Sequence, residues 1–258
     1  MIRSLRKPPP GRAAASTGGA RHGLARVISK RGYCSRSQAA ELVRAGRVQL
    51  NERTERDPEA PTRSDDRIRI DGKEITAAAA ATWIMLNKPR GYVTTASDER
   101  GRDTVYALID AAGLPWLAPV GRLDKASEGL LLFTNDSAAA ARITAPESHV
   151  DKTYHVQIGQ LPDAELLARL RDGVDDAGER LAAKSVSLLR AGEKNAWLQI
   201  VLDEGRNRQI RRLLAAHDVE VLRLLRVAIG TLALGELAKG AWRLLTAHEI
   251  SALAPPAG

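Results

Sequence analysis

The stretch Gly121-Arg122-Leu123-Asp124-Lys125-Ala126-Ser127-Glu128-Gly129-Leu130-Leu131-Leu132-Phe133-Thr134 decides how this chain is read. Its second half, residues 130–134, is a continuous apolar run, the pattern of a strand buried on both faces. Its first half is a glycine-bounded turn that sets one carboxylate, Asp124, between two cations, Arg122 and Lys125. Nearby positive charge favours the ionised carboxylate, and an ionised carboxylate at the mouth of a cleft can act as nucleophile or general base. The same residues also fit a turn aspartate in a surface ion pair.

On either side of this stretch, short strands alternate with helices. Residues 83–86 form a brief apolar strand that runs into Asn87-Lys88-Pro89-Arg90-Gly91-Tyr92. Residues 154–158 and 196–202 alternate apolar and polar side chains, whereas 164–170 and 207–216 carry helical spacing. This part of the chain therefore reads as a mainly antiparallel mixed sheet with helices packed on it.

Residues 23–76 read as a separate, small α/β module. Leu24, Val27 and Ile28 make a helical stripe that Gly32 ends. Ser35-Arg36-Ser37-Gln38 is a capping box, and the helix after it buries Ala39, Leu42 and Val43 and stops at Gly46. Val48 with Leu50, and Ile68 with Ile70, alternate as strands do, and Asp71-Gly72 marks a tight turn. This arrangement puts Lys30, Arg31, Arg36, Arg44 and Arg47 near the ends of two short helices. Helix ends with arginine beside them hold phosphate well, although a solvated basic face carries the same residues. The class is thus α+β. The expected divisions are a basic tail over 1–22, the module over 23–76, an alanine-rich linker over 77–82, a large domain over 83–251 and a short tail over 252–258.

The charge is unevenly distributed. Of the net +8 over 258 residues, +5 lies in residues 1–22, which hold no acid, and +3 in residues 23–76. The remaining residues carry 22 basic and 22 acidic side chains and balance to zero. A basic end on a neutral body suits a polyanion contact followed by a separate working domain; a solubilising tail would look the same. The tail, with Pro8-Pro9-Pro10 and Gly18-Gly19, has too little apolar surface to fold. The single cysteine, Cys34, excludes an internal disulfide framework and a cysteine-rich zinc site, and no metal is expected. It reads as a free thiol in a reducing compartment. No apolar run reaches the ~18 residues that span a bilayer, and residues 1–20 lack the apolar centre of a secretory signal. A cytoplasmic protein without a membrane partner is the expectation.

Two more segments carry chemistry. Glu204-Gly205-Arg206-Asn207-Arg208-Gln209-Ile210-Arg211-Arg212 places four arginines within seven residues at the start of a helix. On a helix they fall on more than one side, so some can face phosphate while another turns to a carboxylate. Tyr154 is one of nine aromatic residues and begins a strand beside Lys152. A ring there can stack on a nucleobase or pack into the core.

Two resemblances follow from this text. Leu24-Ala25-Arg26-Val27-Ile28, Cys34-Ser35-Arg36-Ser37-Gln38-Ala39-Ala40 and Ala45-Gly46-Arg47-Val48-Gln49-Leu50-Asn51 resemble the small RNA-binding module named after ribosomal protein S-four. This implies binding of structured RNA through shape and backbone, without base reading. From about residue 24 to 250 the chain resembles the RsuA/RluB family of ribosomal RNA pseudouridine synthases. The carriers are the Asp124 stretch continued by Asn135-Asp136, then Asn87-Lys88-Pro89, Lys152-Thr153-Tyr154 and the arginine cluster. Residues 226–230 and 240–246 complete the pattern.

The resemblance implies that Asp124 is the catalytic carboxylate and that Tyr154 stacks on the target uracil. Arg206 would pair with the aspartate, with Arg211 as the alternative. Ile210 would line the base pocket, and Arg122 would contact the RNA backbone or fill the gap left by a flipped base. The implied reaction isomerises a uridine of ribosomal RNA, 23S in the large subunit, by a monomeric enzyme without a cofactor. The alternatives are the same enzyme acting on 16S RNA of the small subunit, a non-catalytic RNA-binding factor of ribosome assembly, and a nucleoside hydrolase.

Overall fold

The computed structural model describes residues 21–76, 80–96, 98–109 and 113–253. Most of the expected basic tail, the alanines 77–79 of the expected linker and residues 254–258 lie outside them. The described residues form two compact units. One takes those up to Ile28 and from Arg36 to 76; the other takes Ser29–Ser35 and those from 80 onward.

In chain order the first unit holds β1 (His22–Gly23), α1 (Leu24–Lys30) as far as Ile28, α2 (Arg36–Arg44), β2 (Val48–Leu50), β3 (Arg53–Glu55), β4 (Pro61–Thr62), β5 (Ile68–Ile70) and β6 (Lys73–Ile75). Helix α1 buries Leu24, Ala25, Val27 and Ile28, and α2 buries Ala39 and Val43; Leu42, expected in the core, is half-buried. Helix α2 ends where the sequence places its stop. Gly46 is left-handed (φ 72°) and the Arg47 N–H reaches back to the Leu42 carbonyl at 3.1 Å, the geometry of a glycine-terminated helix. The strands run β3-β2-β5-β6, with Val48, Ile68 and Ile70 buried. Asp71 and Gly72 both take positive φ (50° and 77°) to turn β5 into β6, as a type I′ hairpin requires.

The second unit follows with β7 (Trp83–Lys88), β8 (Ala118–Val120), β9 (Glu128–Thr134), α3 (Ser137–Thr144), β10 (Lys152–Ile158), α4 (Ala164–Asp172), β11 (Val174–Asp176), β12 (Glu179–Leu181), β13 (Ser185–Ala191), β14 (Ala196–Leu202), α5 (Gln209–Ala215), β15 (Val221–Ile229), β16 (Leu232–Ala233), β17 (Trp242–Leu244) and α6 (Ala247–Leu253). Its main sheet runs β13-β14-β10-β15-β9-β7-β17, with β8 on β9 and β16 on β15. Among these strands every ladder is antiparallel except β9 with β15. The fold is α+β with a mainly antiparallel mixed sheet.

Strand β9 is buried along all seven residues. Its alternate side chains go to opposite faces, as a pleated strand demands. Leu130 and Leu132 join Trp83 and Met85 on one side, and Leu131 and Phe133 join Ile84 and Leu86 on the other. One edge of β9 pairs with β7. The other edge is divided: Glu128 and Gly129 pair with β15, and Leu132 to Thr134 pair with β8. The sheet therefore opens between β15 and β8, and the Asp124 turn lies in that opening. Gly129 makes the seam possible. Its φ is 100°, and a Cβ there would sit 2.2 Å from the Arg226 carbonyl oxygen and 2.9 Å from its nitrogen, so no other residue fits without moving the backbone.

Candidate active site

The turn carrying Asp124 is fixed through its backbone. The Ser127 N–H closes it on the Asp124 carbonyl at 3.0 Å, and the Gly91 N–H donates to the Lys125 carbonyl at 2.9 Å. Thr94 Oγ1 donates to the Leu123 carbonyl at 2.7 Å. From the end of β7, the fully buried Lys88 sends its Nζ to three carbonyls: Ser127 at 2.8 Å, Asp124 at 3.1 Å and Pro89 at 3.1 Å. Burial pulls its pKa down to about 8, against the opposing pull of Asp124 and Glu128. Glu128, one residue past the turn, is also fully buried. Arg223 holds both its oxygens at 3.1 Å, and Lys239 Nζ reaches it at 2.6 Å. Burial alone would raise its pKa, but these two cations outweigh that and hold it below the ordinary glutamate value.

The Asp124 side chain lines a cavity of about 430 Å³ at the opening of the sheet. Five of the residues expected to act line it together: Arg122, Asp124, Tyr154, Arg206 and Ile210. Tyr154 stands on β10 between Ile200 of β14 and Arg226 of β15. Ile210, 3% exposed, joins the cavity wall to the core through Leu213 and Leu214.

The arginine cluster differs from its expected arrangement. The helix begins at Gln209, two residues later than the spacing suggests, because Arg208 is left-handed (φ 50°) and serves as its N-cap. Arg206 therefore sits in the preceding turn, where its Nε meets Glu204 at 2.8 Å and its Nη1 lies 3.9 Å from Glu179. It does not pair with Asp124. The ion pair to Asp124 comes from Arg208, whose Nη1 is 3.6 Å from Oδ2, a charge contact too long for a hydrogen bond. Arg211, the alternative partner, is half-buried and donates to the Ala126 carbonyl at 3.3 Å. Burial and the charge of Arg208 lower its pKa, while the charge of Asp124 works the other way. Arg212 is taken by Asp176 and Glu179. Gln209, nearly fully buried, ties the turn together through Glu204, Ala182 and the Arg206 N–H.

The cavity contains two other acids, Glu179 and Glu204, and both are engaged. Arg212 binds Glu179, and Arg206 with Gln209 bind Glu204. Among the described residues no group donates a hydrogen bond to the Asp124 carboxylate.

The five basic residues of the N-terminal region are placed differently. Arg36 pairs with Glu59 at 3.0 Å, and Arg47 holds Asp71 through two nitrogens. Arg44 is exposed at the end of α2. Lys30 and Arg31 are half-buried and belong to the segment grouped with the large unit.

Comparison with known proteins decides what this site belongs to. Residues 82–216 match the family model described as RNA pseudouridylate synthase, and residues 23–68 match the S4 domain. The chain is 34% identical over 233 residues to ribosomal large subunit pseudouridine synthase B of Bacillus subtilis, covering 89% of this chain and 94% of that protein. The chain belongs to the RNA pseudouridylate synthase family. An uncharacterized RNA pseudouridine synthase of Mycobacterium bovis is 36% identical over 236 residues, covering 89% of this chain and 92% of that protein. A solved pseudouridylate synthase superposes with a TM-score of 0.63 at 31% identity, covering 91% of this chain and 100% of the other. This pseudouridine synthase thus joins an S4 domain to a catalytic sheet.

Sequence reasoning passed over Lys88, Glu128, Arg208, Arg223 and Lys239. Lys88 and Glu128 do leave a trace in the sequence, each being a charge at the end of an apolar strand. Their partners come from distant segments and leave none.

Proposed function

We propose that this enzyme converts a uridine of ribosomal RNA, in the 23S RNA of the large subunit, to pseudouridine, with Asp124 as its catalytic carboxylate. The observation that carries this reading is the Asp124 carboxylate, which accepts no hydrogen bond among the described residues and has Arg208 at 3.6 Å, in a cavity whose other acids are hydrogen-bonded to arginines. The choice of subunit is supported by the Bacillus subtilis relative and by its Haemophilus influenzae namesake, which is 34% identical over 238 residues and of whose length this chain covers 66%.

The reaction breaks the N1–C1′ bond, turns the uracil and rejoins it through C5, so atoms balance without an oxidant, donor or cofactor. The nucleotide first leaves its stack, at a cost of a few kcal/mol. Stacking on Tyr154 returns ~1–3 kcal/mol of that, and Ile210 closes the apolar side of the pocket. Asp124 then acts on the ribose as nucleophile or base. Arg208, 3.6 Å away, aims the carboxylate, with Arg211 holding the Ala126 carbonyl of the same turn. Arg122 and Arg206, at the cavity wall, meet the RNA backbone. Lys30, Arg31, Arg36, Arg44 and Arg47 belong to the region that holds structured RNA by shape. In this reading residues 23–76 and 83–251 are the two domains, joined by 77–82 and flanked by tails, and the enzyme works as a cytoplasmic monomer.

Mapping pseudouridine in 23S and 16S RNA from cells with and without the gene tests this. The expected result is one 23S position that loses pseudouridine without the gene. Loss only in 16S RNA overturns the subunit, and loss in neither overturns the substrate.

A further inference from the structure

We propose that Arg226, with Lys152 beside it, donates hydrogen bonds to the carbonyl edge of the flipped uracil and takes up the negative charge that uracil gains when its N1–C1′ bond breaks. This rests on the reading above, in which uridine enters this cavity and stacks on Tyr154.

Arg226 lies in β15, only 6% exposed, and lines the cavity. Its Nε donates to the Leu130 carbonyl at 2.8 Å. Its Nη2 is buried with no hydrogen-bond partner among the described residues. A guanidinium nitrogen left in that state is strongly disfavoured unless a ligand completes it. Lys152 lines the same cavity, and its ammonium has no hydrogen bond or ion pair among the described residues. Burial, and then the charge of Arg226, lower its pKa, with Asp203 and Asp151 pulling the other way. Lys184 already takes Asp151 at 2.7 Å. The cavity therefore holds two cations, Arg226 and Lys152, without an ion-pair partner among the described residues, its three acids being paired with Arg206, Arg208 and Arg212.

Position identifies the ligand. Arg226 is directly opposite Tyr154 in the β10–β15 ladder, and residues so placed present their side chains on one face, close together. A base stacked on Tyr154 turns its edge to Arg226. A guanidinium donates and never accepts, so it suits the O2 or O4 of uracil, and a contact at O4 rejects the amino group that cytosine carries at C4. When N1–C1′ breaks, both electrons leave on the uracil and spread over O2 and O4. Fixed donors at that edge stabilise the developing anion. The C5–C1′ bond then forms as the bond from Asp124 to C1′ breaks or, if Asp124 acted as base, as the ribose proton it took returns, and the C5 proton ends on N1. Backbone phosphate fits the more exposed Arg206 better.

The test is a single-turnover assay of the full chain on unmodified 23S transcripts made with uridine or with 5-fluorouridine, whose base is the more stable anion. Cleavage is read as loss of the parent nucleoside from nuclease digests. Arg226→Met is expected to slow the uridine reaction about 100-fold, the scale of losing one oxyanion donor, and Arg226→Lys to recover about tenfold of it. The 5-fluorouridine reaction is expected to slow by about tenfold or less, with RNA affinity and its salt slope unchanged. Equal slowing on both substrates, no slowing, or a flatter salt slope would overturn the proposal. If Arg226→Met fails to fold by circular dichroism, Lys152→Met gives the same comparison on a half-buried side chain. An inactive wild type, or an active Asp124→Asn, instead sinks the underlying reading. An active wild type with equal slowing on both substrates sinks this inference alone.

Discussion

In the small unit, Arg36 meets Glu59 and Arg47 meets Asp71 with all four side chains about half exposed. In the large unit, Glu128 is fully buried between Arg223 and Lys239, and the fully buried Lys88 gathers three carbonyls. Exposed pairs are screened by water and contribute little to stability. Buried charges must be matched completely, and removing one partner leaves an uncompensated charge. The difference shows where this enzyme uses charge for architecture. It does so at the ends of β7 and β9, beside Asp124, whereas the exposed pairs of the small unit can exchange an acid for a phosphate at little cost.

The largest effect that would break this contrast is on folding. The double variant Arg223→Ala/Lys239→Ala is expected to lower unfolding free energy by ~3–5 kcal/mol, because it leaves the buried Glu128 carboxylate uncompensated. Glu59→Ala should cost ~0–1 kcal/mol. Urea unfolding of both variants checks this, and equal destabilisation would erase the distinction.

Next comes catalysis. Lys88→Met removes the group holding the Asp124 carbonyl, and a displacement of about 1 Å at the carboxylate costs about 100-fold in rate. RNA affinity, measured in the same preparation, should not change.

A third expectation concerns pH. Lys88 titrates at about 8 in the folded protein, below its ordinary 10.5. The unfolded chain thus binds more protons between those values, and stability rises with pH where that holds. Relative to Lys88→Met, the native protein is therefore penalised below about pH 8 and gains stability from there toward 10.5. A difference that stays flat or falls over that window would show that Lys88 is not a desolvated cation.

The smallest effect is on RNA binding. Neutralising Arg36 and Arg44 to Gln should flatten the dependence of log affinity on log salt by ~0.7–0.9 for each phosphate that the protein no longer neutralises. An unchanged slope would remove both from the RNA surface.

Much of the catalytic unit is legible in the sequence because its signals are local. The apolar run after Gly129, the alternation of 196–202 and the glycine-bounded Asp124 turn all appear as expected. The choice among four arginines was not legible. It depends on the left-handed backbone of Arg208, a conformation that a single non-glycine letter does not announce. Glu128 and Lys88 were missed for a related reason. Periodicity reports which face is apolar, and it is silent on a buried charge whose partners lie on other segments, 36 and 39 residues away for Lys88 and 95 or more for Glu128. The parallel seam at Gly129 and Arg226 is a long-range pairing that no short motif encodes.

The most direct test is the Asp124→Asn enzyme on ribosomal RNA from cells lacking the gene, with pseudouridine counted at the target position. The side chain keeps its size and loses its charge, so the protein should fold and bind RNA as before yet form no pseudouridine. Product formation at the wild-type rate would contradict the account.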